Sequence, residues 1–176
     1  LDFVQKTVSQ NGVILLVGTR PAAKKAIKEA AEKTGMPYFT ERWVGGALTN
    51  FKEISKRVEI MEKLEEEKRS GAFEKFPKKE QMEKTREIEK LNTLFGGIRA
   101  MKKLPDAVFI VDINENDTAV REARRLRIPI IALCDTNSNA RLVDYCIPSN
   151  DDALPAVRFM VQKIGEAIEN GKKQTV

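Results

Sequence analysis

Val13-Ile14-Leu15-Leu16-Val17-Gly18, followed by Thr19-Arg20-Pro21 and the helix-forming run 22–33, decides how this chain folds. Five apolar residues in unbroken succession describe a strand buried on both faces, as in a parallel sheet. Thr19 is placed to cap the next helix, Pro21 is tolerated in its first turn, and Gly35 ends it. The same strand-helix grammar continues outward. Residues 37–39 open a short second strand that runs toward Arg42-Trp43-Val44-Gly45-Gly46. Residues 107–111 form a third strand ending at Asp112, residues 114–117 supply turn and cap chemistry for a helix through Arg127, and Pro129 stops it. Residues 128–133 and 143–147 complete five strands. A last helix shows Leu154, Val157, Val161, Ile164 and Ile168 on one face and is expected to finish at Gly171. Strands alternating with helices predict an α/β body: a mostly parallel, doubly wound sheet between two helical layers.

Residues 52–91 break this pattern. They carry 12 Lys or Arg and 11 Glu, too many charges for a core and too balanced for simple electrostatic attraction. Phe51, Ile54, Val58, Met61 and Leu64 recur three and four residues apart, and Ile88, Leu91, Phe95 and Ile98 repeat the stripe on the return. Two narrow seams joined by a turn around Ser70, Gly71 and Pro77 predict a protruding antiparallel coiled-coil hairpin. The alternative is a pair of solvated helices laid flat on the body. The expected organisation is therefore a body of residues 1–50 and 92–176 with an inserted arm of residues 51–91. Phe73 and Phe76 near the tip either meet a partner or close the turn.

The formal charge of +5 and pI near 9.2 favour a polyanionic partner without proving one. No run of about 18 apolar residues and no signal-peptide pattern occurs, so a soluble intracellular protein is expected, with no membrane partner. The opening residues 1–6 read as the end of a helix already under way, as in a longer protein lacking its beginning. Cys134 and Cys146 lie in apolar segments without zinc or redox spacing and are expected to be buried, reduced thiols. The absence of histidine removes the commonest general base and zinc ligand together and weighs against most hydrolase mechanisms.

Candidate chemistry falls in three places. The 18–20 loop sits where a doubly wound fold can hold a phosphate at a helix N-terminus, yet the dinucleotide fingerprint and the Walker pattern are both missing. Asp112 and Asp135 end strands at the edge where such sheets carry active sites, so a magnesium-dependent enzyme is the rival reading, although aspartate also caps turns there. Gly45-Gly46 and Gly96-Gly97 bracket the arm, either as crowded roots or to admit an RNA backbone. Arg42, Lys52, Arg99, Lys102 and Lys103 lie near these roots, and Arg121, Arg124, Arg125 and Arg127 lie farther along. Such clusters neutralise phosphates without reading base sequence, but seen in isolation are more often solvated helix faces.

Arg42-Trp43-Val44-Gly45-Gly46-Ala47-Leu48-Thr49-Asn50 resembles, almost letter for letter, a signature of the small-subunit ribosomal protein S2 family. Leu94-Phe95-Gly96-Gly97-Ile98-Arg99 with Leu104-Pro105-Asp106 is a second matching block. Asp135-Thr136-Asn137, Val143-Asp144-Tyr145 and Ile147-Pro148-Ser149-Asn150-Asp151-Asp152-Ala153 make a third. The blocks keep the family's order over nearly the whole chain, and the bacterial or organellar branch fits best. The resemblance implies a flavodoxin-like body bearing the coiled coil. It also implies a non-catalytic, cofactor-free structural role in translation, in the cytoplasmic or organellar small subunit near the junction of head and body. The partners it implies are small-subunit rRNA and neighbouring proteins, with ribosomal protein S1 where a lineage has it. Asp112 and Asp135 then belong to structural motifs. Two departures stand out: the family's histidine-bearing, basic N-terminal segment has no counterpart before Leu1, and Ser138-Asn139-Ala140-Arg141 replaces a proline-bearing acidic turn. Arg42, Lys52, Arg99, Lys102 and Lys103 are the expected rRNA contacts. An adaptor whose coiled coil is the functional part is a third possibility.

Overall fold

The computed structural model describes residues 1–174. Five strands, β1 (Ile14–Val17), β2 (Tyr38–Phe39), β3 (Ala107–Val111), β4 (Ile130–Cys134) and β5 (Tyr145–Pro148), form one sheet in the order β2-β1-β3-β4-β5. Every pairing is parallel; Leu15 lies beside Val108, and Val108 beside Ile130. The helices are α1 (Asp2–Ser9), α2 (Pro21–Thr34), α3 (Phe51–Arg69), α4 (Lys78–Phe95), α5 (Asp117–Arg125) and α6 (Leu154–Lys173). The body is therefore an α/β fold. No helix among the described residues is long and apolar enough to cross a membrane.

The unbroken apolar strands reflect a core on each side of the sheet. Ile14, Leu16, Phe109, Val111, Ile131 and Leu133 point into a layer closed by α1, α2 and α6, where Val8, Ile27, Val161 and Ile164 meet them. Leu15, Val17, Val108, Ile110, Ile130 and Ala132 point the other way, against Leu48, Val120 and Ala123. Ile54, Val58 and Met61 of α3 and Phe95 of α4 belong to this second core. The first half of α3 is thus held by the sheet as well as by α4, against which α3 also packs. Farther out, Phe73 is buried in the short 3-10 turn Ala72–Lys75 and meets Phe76 edge to face at 6.5 Å, with the Lys84 ammonium 4.3 Å from the Phe76 ring centre. The two phenylalanines close the turn.

Three expectations need correction. Thr19 does not cap α2: its hydroxyl donates instead to Asn116 Oδ1 at 3.1 Å, tying the β1 turn to the start of α5. Gly171 does not end α6, which continues to Lys173; a Cβ there would lie 2.7 Å from the Gln5 carbonyl oxygen, so the glycine serves close packing on α1. Cys146 is exposed. The 135–144 connection holds only a 3-10 turn, Ala140–Leu142, and no helix covers that face of the edge strand. Cys134 is buried, its thiol pushed up to about 12 first by burial and then by the neighbouring Cys146.

Candidate functional site

The loop 42–50 is built around a carboxylate from another element. Glu122, 7% exposed on the inward face of α5, accepts the Trp43 indole N–H at 3.0 Å and the backbone N–H of Gly46 at 2.8 Å through one oxygen. The other oxygen accepts the backbone N–H groups of Leu48 and Thr49 and the Thr49 hydroxyl, each at 3.0 Å. Burial pushes this carboxyl up, but the hydrogen bonds from Thr49, Trp43, Gly46 and Leu48 outweigh it and hold the pKa below the ordinary glutamate value. Gly46 takes φ of +87°, the left-handed turn that lets the backbone wrap around the acid. The loop so fixed leaves Arg42 exposed at one end and delivers the chain to Lys52, exposed in the first turn of α3. Sequence reading missed Glu122; the available signal was a glutamate among Ala119, Val120 and Ala123 on an apolar helix face.

The glycine pairs divide. Gly97 needs to lack a side chain, since a Cβ would overlap the Tyr38 carbonyl oxygen of β2. Gly45 faces open space, and at Gly96 only the Asn92 side chain crowds the position. The crowded root is therefore real at Gly97 and Gly46 alone.

Of the expected contact residues, Arg99 is engaged within the protein: its Nη2 donates to both oxygens of Glu65 at 2.9 and 2.8 Å, bracing the 3-10 turn Gly96–Ile98 that follows α4 against α3. Lys103 pairs with Asp106 at 3.2 Å, while Asp106 also accepts the Val13 N–H and so fixes the start of β1. Lys102 is exposed and forms no ion pair with a described residue. Lys102 and Lys103 line one cleft of about 460 Å³ together with Gly12, Gly35, Met101 and Lys172. Arg42 and Lys52 do not line it, and Arg99 borders a smaller hollow that it shares with Lys102. The structure thus joins the two lysines into a cationic cleft that the other three do not line.

At the opposite edge, where the strand order reverses between β1 and β3, the crevice is filled by charge. The Arg20 guanidinium forms ion pairs with Asp112 and Asp152 and lies 3.8 Å from Asp151. Asp112, at φ of +63°, accepts the N–H groups of Asn114 at 2.9 Å and Glu115 at 3.1 Å. One oxygen is thereby held by a turn and the other by the ion pair with Arg20, so the Asp112 of the Asp112–Asp135 magnesium pair considered from sequence is engaged within the protein. Asp135 instead approaches Asp151 and Asp152, whose ligand oxygens lie within 4.8 Å of one another. Burial raises the pKa of Asp151, as does Asp112, while Arg20 lowers it. These three carboxylates suit a hard divalent cation and repel the phosphate of a nucleotide. The usual ligand crevice of a doubly wound sheet is thus electrostatically wrong for a dinucleotide.

An exposed basic surface on a non-nucleotide α/β body, with the loop 42–50 locked by Glu122, agrees with the matching of residues 1–171 to the family model described as Ribosomal protein S2. The chain belongs to the ribosomal protein S2 family, whose members are structural proteins of the small ribosomal subunit and not enzymes.

Proposed function

We propose that this protein binds small-subunit rRNA through phosphate contacts made by Lys102, Lys103, Arg42 and Lys52, and so supports translation as a fixed part of the particle. The observation that carries this reading is the convergence of Lys102 and Lys103 with Lys172 on one open cleft. Lys172 also donates to the Thr34 carbonyl oxygen at 2.6 Å, while the Lys102 ammonium is unpaired among the described residues. Ammonium groups at such a cleft neutralise phosphates and release counterions, giving affinity without base selectivity. The Lys103–Asp106 pair is half-exposed and cheap to exchange for a phosphate. Arg99 belongs to the same surface, turned toward RNA only to the extent that Glu65 leaves its guanidinium free.

Residues 51–91 are read as the arm, an antiparallel coiled-coil hairpin docked against neighbouring RNA and small-subunit proteins, with residues 1–50 and 92–176 as the flavodoxin-like body. Ribosomal protein S1 is among the protein partners of this reading, and the cytoplasm its compartment. Replacing Lys102 and Lys103 by Glu is expected to reduce incorporation into small subunits, measured by sedimentation, and to lower the slope of log K against log salt for rRNA binding by about 1.5. Normal incorporation with an unchanged slope removes the cleft from the interface.

A further inference from the structure

The 12 arginines of the chain are unevenly placed: four of them, Arg121, Arg124, Arg125 and Arg127, fall within seven residues on and just after α5. At 3.6 residues per turn, Arg121, Arg124 and Arg125 occupy an arc of about 100°. The opposite side carries Ala119, Val120, Glu122 and Ala123, all buried. Glu122 is turned inward to hold the loop 42–50, so the outward face keeps a single acid, Asp117, which pairs with Arg121. Arg124, Arg125 and Arg127 are exposed and form no ion pair with any described residue.

Helix α2 handles its cations differently. On α2, Lys24, Lys25, Lys28 and Lys33 each face a glutamate: Glu41, Glu29, Glu32 and Glu169. A helix C-terminus favours cations through its dipole, which accounts for Arg124 and Arg125 but not for Arg121 a turn earlier or Arg127 beyond the end. Nor does the dipole select arginine over lysine, whereas a planar guanidinium fork matches phosphate oxygens two at a time.

We infer that the outward face of α5 is a phosphate track, four arginines that grip an RNA backbone at a second surface beside the Glu122-pinned loop. This rests on the rRNA-binding reading above and adds a site to it. The face has no exposed aromatic side chain for base stacking, so it follows the backbone and not the sequence. An acidic protein partner would need apolar anchors at the centre of its footprint, and the only exposed large apolar residue here is Leu126, at the very end.

The test compares the full chain with two variants, Arg124→Gln/Arg125→Gln/Arg127→Gln and Lys102→Glu/Lys103→Glu, for binding to deproteinised small-subunit rRNA across a salt series. Thermal unfolding checks that the exposed substitutions leave the fold intact. The arginine variant is expected to keep its melting temperature, to lose about two from the slope of log K against log salt, and to bind tenfold or more weakly at 0.1 M salt. A matching triple Arg→Lys variant should keep the slope and weaken binding less, because charge remains while the fork is lost. Should the arginine variant bind like the unmodified protein while the lysine variant is impaired, the track is refuted and the lysine cleft stands. Should the unmodified protein show no salt-dependent rRNA binding, both readings fall together. Normal binding to naked rRNA with failed entry into subunits would mean that α5 faces a protein, and also refutes the track.

Discussion

Glu122 shows how one side chain can set the shape of a surface it never reaches. Its five hydrogen bonds satisfy three backbone N–H groups of a turn that no strand or helix could satisfy. Because its folded-state pKa lies below the ordinary glutamate value of 4.5, the stabilisation it gives is complete above that value and is lost as pH falls through the folded pKa. In Glu122→Gln the amide nitrogen would point N–H groups at N–H groups and strand donors in a buried site. A loss on the order of 3 kcal/mol is expected at pH 7, with a flatter decline of stability toward pH 3, both read from urea unfolding across that range. An unchanged midpoint would show that the loop holds itself. The role of this acid was invisible in the sequence because its partners lie 73 to 79 positions away. A helix-face pattern reports that a residue is turned inward without saying what meets it. Thr19 was misread for a related reason: a hydroxyl before a helix looks like a cap until a partner 97 residues distant, Asn116, claims it.

At the scale of elements, β1, β3 and β4 were legible because each is buried on both faces and so leaves an apolar run with no polar break, and α2 was legible from Pro21 in its first turn and Gly35 just past its end. The order of the strands was not written in any local pattern; it follows from which crossovers carry helices. The root of α4 shows what the glycines contribute. Gly97 lies so close to β2 that an added Cβ would overlap the Tyr38 carbonyl and lie 2.9 Å from the Tyr38 ring, and a backbone oxygen in a sheet has nowhere to go. Gly97→Ala is therefore expected to cost about 2 kcal/mol in chemical denaturation. Gly45→Ala, with no atom within 4 Å of its new methyl, should change stability by less than about 0.5 kcal/mol. Equal effects at the two positions would mean that chain flexibility, and not close approach, is what both glycines provide.

Seen whole, the molecule has one continuous core layer that begins under the sheet and ends partway along α3. Ile54, Val58 and Met61 sit in the same cluster as Val108 and Ile110, whereas Phe73 and Ile88 are buried outside both core clusters. The charged composition of 52–91 set α3 and α4 apart from the rest of the sequence, but how far α3 stays on the sheet was hidden, because its apolar spacing is the same whether it meets the sheet or only α4. If the outer part is a self-contained hairpin, replacing residues 67–86 by a short glycine-serine turn should leave the body folded. Packed helices lie 8–10 Å apart, a gap that a few residues cross easily. This cut spares Glu65, and with it the Arg99 brace. The shortened protein is expected to melt within a few degrees of the original and to bind rRNA with the same salt slope, since the lysine cleft and α5 are untouched. Excising 51–91 in full should instead unfold it, because Ile54, Val58 and Met61 leave the core together and each large core truncation costs 2–5 kcal/mol. Collapse of the shorter deletion would show that the outer hairpin is a structural part of the body, and would move the boundary between the two to the tip.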